Sequence, residues 1–225
     1  VIITNYVNDT YSVLFNDSTK KQYDGCLKAA VRFRNSLLVL IMKNDICFLD
    51  ILEEDSIDSI ELNHNFDLLA VYDDKILLVK HEKIFLYDLT FKYDSKKRKK
   101  YEVKANGEVY IITSSPILKV VVRHHYIYLI TKKDSLMIFY KAKLKYSIFE
   151  TQYLANFEVL KDDLIITSDK IGIVRIYRIN SDLKLIFVQD VRDILVSIAL
   201  FENVIYYLTG SGTKGTIQIE LGTKS

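Results

Sequence analysis

The stretch Leu164-Ile165-Ile166-Thr167-Ser168-Asp169-Lys170-Ile171-Gly172-Ile173-Val174-Arg175-Ile176-Tyr177-Arg178-Ile179 decides how the chain is read. Two runs rich in β-branched and aromatic residues, Leu164–Thr167 and Gly172–Ile179, flank a Ser-Asp-Lys-Ile turn, which is the pattern of a β-hairpin. The first run begins with three apolar residues in succession. That suits a strand covered on both faces of its sheet, whereas a strand with one wet face alternates. Asn156–Leu160 precedes this hairpin and Lys184–Val188 follows it, so the unit has four strands in sequence.

The hairpin recurs. Its second strand aligns at Ile46–Asp50, Ile84–Asp88, Met137–Lys141, Val174–Arg178 and Ile217–Leu221. The fourth residues of these copies, Leu49, Tyr87, Tyr140, Tyr177 and Glu220, lie 38, 53, 37 and 43 positions apart. A four-stranded antiparallel blade takes roughly 35–45 residues, so the long spacing predicts an insertion over 90–116. The second unit adds Phe66–Tyr72 before its hairpin and Lys100–Lys104 after it; the third adds Ile117–Val122 and Tyr146–Phe149. The last unit supplies Ile194–Leu200, Val204–Thr209 and Thr216–Leu221 and lacks an outer strand. The strand-like N-terminal segment, within 1–27, is expected to take that place and close the ring. The expected fold is therefore all-β: a β-propeller of about five four-stranded blades, truncated or open. With no Pro/Gly/Ser-rich linker, residues 1–225 read as one domain.

Ser168–Tyr177 resembles the WD40 family, whose blades read Ser-x-Asp-Gly-x-Val-Arg-Ile-Trp-Asp at this place. Lys83–Leu89 is similar to the same strand, with Tyr87 for the Trp and Asp88 kept, and Lys214–Ile219 to its Asp-Gly-Thr-Ile-Arg-Ile form. The chain has no Trp and no Gly-His pair, and the closing Asp stands only at Asp50 and Asp88. The family's Asp–His–Ser/Thr–Trp hydrogen-bond network therefore has no counterpart. The resemblance runs from about Lys28 to Leu221. It implies WD40-like blades used as a binding platform, fewer than the family's usual seven.

Composition narrows the function. Hydrophobic residues make up 49% of the chain, too many for wholesale disorder, yet no run approaches the roughly 18–20 apolar residues of a membrane helix. No membrane insertion is expected. The start, Val-Ile-Ile-Thr-Asn-Tyr, has no basic region and is not read as a secretory signal. Cys26 and Cys47 are too few for a disulfide scaffold and are expected as reduced, partly buried thiols. The expected location is cytoplasm or nucleus. A net charge of +2 argues against a dedicated nucleic-acid coater but leaves room for a local basic patch.

Few residues suggest chemistry. His64, His81, His124 and His125 follow no metal-ligand spacing and read as loop residues. Glu53-Glu54-Asp55, Asp73-Asp74 and Asp162-Asp163 sit in turns, where Asp favours the backbone geometry. Gly210-Ser211-Gly212-Thr213-Lys214-Gly215 looks like a phosphate loop but opens no helix. No enzyme activity, cofactor, metal or small-molecule substrate is expected. The feature above background is the run Lys96, Lys97, Arg98, Lys99 and Lys100 within the insertion. Five consecutive cations repel one another, so the run reads as a solvated loop, an acidic-partner or RNA-phosphate contact, or a nuclear localisation signal. The leading expectation is a non-catalytic scaffold subunit holding proteins in a larger complex. The alternative is an RNA- or ribosome-associated propeller that grips RNA through this run.

Overall fold

The computed structural model describes residues 5–7, 10–15, 19–24, 26–53, 56–93, 99–103, 107–123, 125–133, 136–148, 154–159, 164–179, 181–201 and 203–219. Among them every regular element is a strand. Asn5–Val7, Thr10–Phe15 and Thr19–Asp24 (β1–β3) make a three-stranded antiparallel sheet. Cys26–Phe33, Ser36–Lys43, Ile46–Leu52 and Ile57–Glu61 (β4–β7) form a four-stranded meander. Leu68–Tyr72, Lys75–Lys80, Lys83–Tyr93, Lys99–Val103 and Glu108–Ile112 (β8–β12) share one sheet. Ile117–Arg123, Tyr126–Thr131, Leu136–Tyr140 and Lys143–Ile148 (β13–β16) form another meander. Leu154–Val159, Leu164–Asp169, Ile173–Ile179 and Leu183–Asp190 (β17–β20) form the next. Leu195–Phe201, Val204–Thr209 and Lys214–Gln218 (β21–β23) are the last, three strands wide. The five sheets from β4 onward match the five hairpin copies one to one. They are the blades of a β-propeller.

The N-terminal strands form a sheet of their own, in which β2 pairs with β1 and β3. One expectation is corrected. The outer strand of the second blade is not Lys100–Lys104 but β12. The 11-residue β10 is long enough for two roles. Its first half, Lys83–Leu86, faces β9 and, on the other edge, β12; its second half, Leu89–Tyr93, runs on with β11 as a two-stranded ribbon. The insertion is thus confined to this ribbon and the link to β12.

By its internal contacts the chain divides into two compact units, Val1–Lys132 with Phe139–Lys143, and Lys133–Ile138 with Leu144–Ser225. In the first, β5 shows why the second strands of the blades are apolar without a break. Successive side chains point to opposite faces. Leu38 and Leu40 enter a cluster with Leu49, Ile51, Phe66, Ile76 and Leu78, while Leu37, Val39 and Ile41 enter another with Leu52. Both faces are dry. Each such burial is worth about 1.5–3 kcal/mol. In the second unit Leu164, Ile166, Val174 and Ile176 pack with Leu195, Ile205, Ile217 and Ile219. Outer strands alternate instead, as in β7, where Ile57, Ser59 and Glu61 are exposed and Asp58 and Ile60 half-buried.

Four innermost strands also carry a register shift near their starts, at Leu27/Ala29, Ile117/Lys119, Leu154/Asn156 and Leu195/Ser197. A bulge bends a strand and increases its twist. Its recurrence at one place in four blades is an independent mark of the repeat.

Candidate functional site

The turn Ser168–Gly172 is held by one carboxylate. Asp169 Oδ1 accepts the amides of Ile171 (3.1 Å) and Ile173 (2.8 Å), and Oδ2 accepts Arg175 Nη1 (3.0 Å). The Asp169 side chain is 2% exposed and that of Arg175 17%, so this pair is largely desolvated. Asp169 is a turn-forming residue that stabilises the blade. Asp169→Ala is expected to lower stability by about 2–4 kcal/mol, because it leaves two amides and a guanidinium short of an acceptor. A urea titration measures it.

The loop that looks like a phosphate cradle is closed on itself. Asp193 Oδ2 accepts the Ser211 amide (3.0 Å) and Oδ1 the Ile194 amide (2.7 Å). Thr209 Oγ1 accepts the Thr213 amide (3.1 Å), Thr209 O accepts the Gly212 amide (3.0 Å), and Ile194 O accepts the Gly210 amide (2.9 Å). These amides are spent within the turn, with Asp193 as their anion. Hydrogen bonds from the Ser211 hydroxyl first, then from Thr209 and the Ser211 amide, pull the Asp193 carboxyl down to about 2 from its ordinary 3.8. A depressed folded value means that the turn's stabilisation is complete above the ordinary value. It is lost as pH falls through about 2. Protection of the Ser211 and Ile194 amides should therefore fall between pH 4 and 2 and be flat above about pH 5, read by NMR hydrogen exchange.

Of the predicted basic run, Lys96, Lys97 and Arg98 lie outside the described residues. Lys99 and Lys100 open β11, opposite Tyr93 and Lys92. The root of the ribbon is anchored one residue further on. Tyr101 is buried in the first unit's core; its hydroxyl donates to the Glu53 carboxylate and its amide to Asp58 Oδ2 (3.0 Å). Ser36 Oγ donates to the same Glu53 carboxylate (3.1 Å). Ser36, Glu53 and Tyr101, with Phe33, Arg34 and Leu89, line a hollow of about 170 Å³. Tyr101→Phe should cost about 1–2 kcal/mol by removing one of the donors to Glu53, seen as a lower urea midpoint at unchanged m-value.

The remaining predicted carboxylates bind neighbours. Asp73 meets His125 Nδ1 at 2.7 Å and Asp74 meets Arg34 Nη2 at 2.8 Å, linking the turns β4–β5, β8–β9 and β13–β14. Both pairs are exposed, so each contributes about 0–1 kcal/mol. Glu54, Asp55, Asp162, Asp163 and His124 lie outside the described residues. Both cysteines are free; Cys47 is buried, which pushes its thiol up, while Cys26 is exposed rather than partly buried. Among the described residues no group of His, Cys, Asp and Glu is arranged to hold a metal, and no helix is long and apolar enough to cross a membrane.

Sequence reasoning took His64 and His81 singly and missed that they share a cleft. The loop before β8 and the turn between β9 and β10 bring together Asn63, His64, Asn65, Asp67, Lys80 and His81 around about 410 Å³. No motif spacing signals it, because two separate loops contribute.

Solved structures of β-propeller proteins match the chain across almost its whole length. It is similar to BBS1N in complex with ARL6DN, at 14% identity and a TM-score of 0.67, over 97% of this chain and 74% of that one. It is similar also to BamB from Moraxella catarrhalis (13%, 0.58, over 99% and 70%) and to Hsv2 from Kluyvelomyces marxianus (10%, 0.60, over 93% and 70%). At such identities the likeness is one of fold. No family model matches the chain, and no curated protein matches it.

Proposed function

We propose that this chain is a non-catalytic, WD40-like scaffold subunit that holds protein partners within a multisubunit complex. One observation carries the reading. Among the described residues the last sheet has three strands, and its face opposite the core bears Phe201 (66% exposed) and Tyr206 (46% exposed). These two are diagonal neighbours: Phe201 pairs with Val204 and Tyr206 with Ala199. Exposed aromatic pairs on a rigid sheet are the usual anchors of protein interfaces. The neighbour captured with ARL6DN supports the same use of a propeller. The double variant Phe201→Ser/Tyr206→Ser tests it. Partner recovery in affinity purification should fall at least about tenfold at unchanged melting temperature. Full recovery overturns the reading.

The second reading is contact with RNA phosphates through Lys96–Lys100. It is favoured by the ribbon, whose strand β11 begins with the last two residues of the run and is anchored at Tyr101. Replacing the five cations with Gln should abolish salt-sensitive RNA binding and leave the protein complex intact.

A further inference from the structure

We infer that a protein partner lays an extended segment along the outer edge of β23, as the fourth strand of the last blade. The inference rests on the scaffold reading and deepens it, because it says how the partner is held.

The repeat shows what belongs at this edge. In the β4–β7 blade Leu62 N donates to Cys47 O (2.9 Å), a register in which Leu49 turns its backbone N–H and C=O toward Ile60 of β7. In the second blade Thr113 N donates to Glu82 O (2.9 Å) and Ile84 faces Ile111 in the same way. In the β17–β20 blade Val191 N donates to Gly172 O (2.9 Å) and Ile176 faces Phe187. Each fourth strand bonds along the edge of a third strand and sets an apolar side chain beside it.

The same ladder can be read in β23. Thr209 N donates to Thr213 O (2.9 Å) and Ile219 N to Asn203 O (2.9 Å), and β22 pairs with β23 between them without a shift. Backbone direction alternates along a strand, so Gly215 and Ile217 bond to β22 while Lys214, Thr216 and Gln218 turn their N–H and C=O outward. Among the described residues no fourth strand meets them.

This edge is also unguarded. Natural proteins blunt exposed edges with charges or bulges. β7 carries Asp58 and Glu61, β16 carries Lys143 and Lys145, and the pairings of β12 and β20 each contain a register shift. The register of β23 is regular, and its single charge, Lys214, is its first residue.

The adjoining face selects the occupant. Thr216 lies opposite Tyr206, so a residue placed opposite Thr216 falls on the face that bears Tyr206 and Phe201. An apolar side chain there extends that aromatic surface, as Ile60, Ile111 and Phe187 extend theirs. A second copy of β23, pairing by its own outer edge, would set only Lys214, Thr216 or Gln218 at this place. The three N-terminal strands make a sheet of their own. The segment that fits is a partner's, with apolar and polar residues in alternation.

The test compares the full chain purified alone with the chain recovered from its own cells together with its partners, by amide hydrogen exchange over residues 213–219. The Thr216 and Gln218 amides should exchange freely in the purified chain and at least about 100-fold more slowly in the complex. Thr216→Pro removes one outward N–H and none of the bonds to β22. It should keep the melting temperature and cut partner recovery at least about tenfold. Gln218→Pro serves if Thr216→Pro lowers the melting temperature, and Thr216→Val, which keeps the N–H, should recover the partner in full. Equal exchange in the two states, full recovery with the proline variant, or equal loss with Thr216→Val overturns the inference. So does slow exchange in the purified chain, whether it persists on dilution, as for a strand of the same chain, or fades, as for a second copy. Recovery lost in Phe201→Ser/Tyr206→Ser but kept in Thr216→Pro leaves the scaffold reading standing; a wild type without partners removes both.

Discussion

Ile176→Asp is expected to abolish cooperative folding of the second unit. Ile176 is fully buried on β19, among Leu164, Ile166, Val174, Leu195, Ile205 and Ile217. A carboxylate there has no partner. The cost of an unpaired buried charge is about 4–5 kcal/mol or more, a large part of the roughly 5–15 kcal/mol that holds a domain folded. Ile176→Val removes one methyl group and should cost only about 1 kcal/mol. The pair separates loss of packing from burial of charge: circular dichroism in urea should show a normal transition for Val and none for Asp. A folded Ile176→Asp would mean that β19 does not lie between two apolar layers.

Gly172→Val should be nearly as severe, for a different reason. Gly172 sits at φ +95°, which L side chains rarely adopt. A Cβ there would lie 2.4 Å from the Asp193 amide nitrogen and 2.9 Å from that of Arg192, both backbone atoms that cannot step aside. Backbone strain of about 1–3 kcal/mol adds to overpacking of about 1–3 kcal/mol. Val191 N also donates to Gly172 O (2.9 Å), so a shift of this turn pulls on the segment that positions Asp193. Thermal unfolding should fall by well over 5 °C, and Gly172→Ala by somewhat less. An unchanged melting temperature for both would place the turn elsewhere.

Much of the fold is legible in the sequence because period-2 patterns and turn residues are local. Ser168–Gly172 announces its turn: Asp169 caps it and Gly172 takes the positive φ. Asn44-Asp45 does the same, at φ 50° and 62°. Lys141-Ala142 adopts a similar turn, at φ 48° and 61°, with residues that do not favour it, so there the strands on either side carry the signal. What a strand pairs with is not local. Tyr101 and Val103 have the right alternation for a blade's outer strand, and the pattern is identical when the strand belongs to a ribbon. The choice between them is made by β12, which fits against Lys83–Leu86, and by Glu53 and Asp58, which accept hydrogen bonds from Tyr101 across 48 and 43 residues.

The candidate surfaces were less visible for the same reason. Asp193 and Ser211 are 18 residues apart, and only their contact shows that the glycine-rich loop binds its own carboxylate. Phe201 and Tyr206 share one face through the register of β21 with β22, a fact about pairing and not about composition. The basic run was conspicuous because charge is read residue by residue.

The central claim is that this propeller works by holding other proteins. The most direct measurement is the size of the untagged protein in RNase-treated extract of its own cells, by size-exclusion chromatography with immunodetection. The account predicts elution far above that of the same protein purified alone, unchanged by RNase and shifted toward the monomer by Phe201→Ser/Tyr206→Ser. Elution as a monomer, or a large species that collapses on RNase treatment, would contradict it.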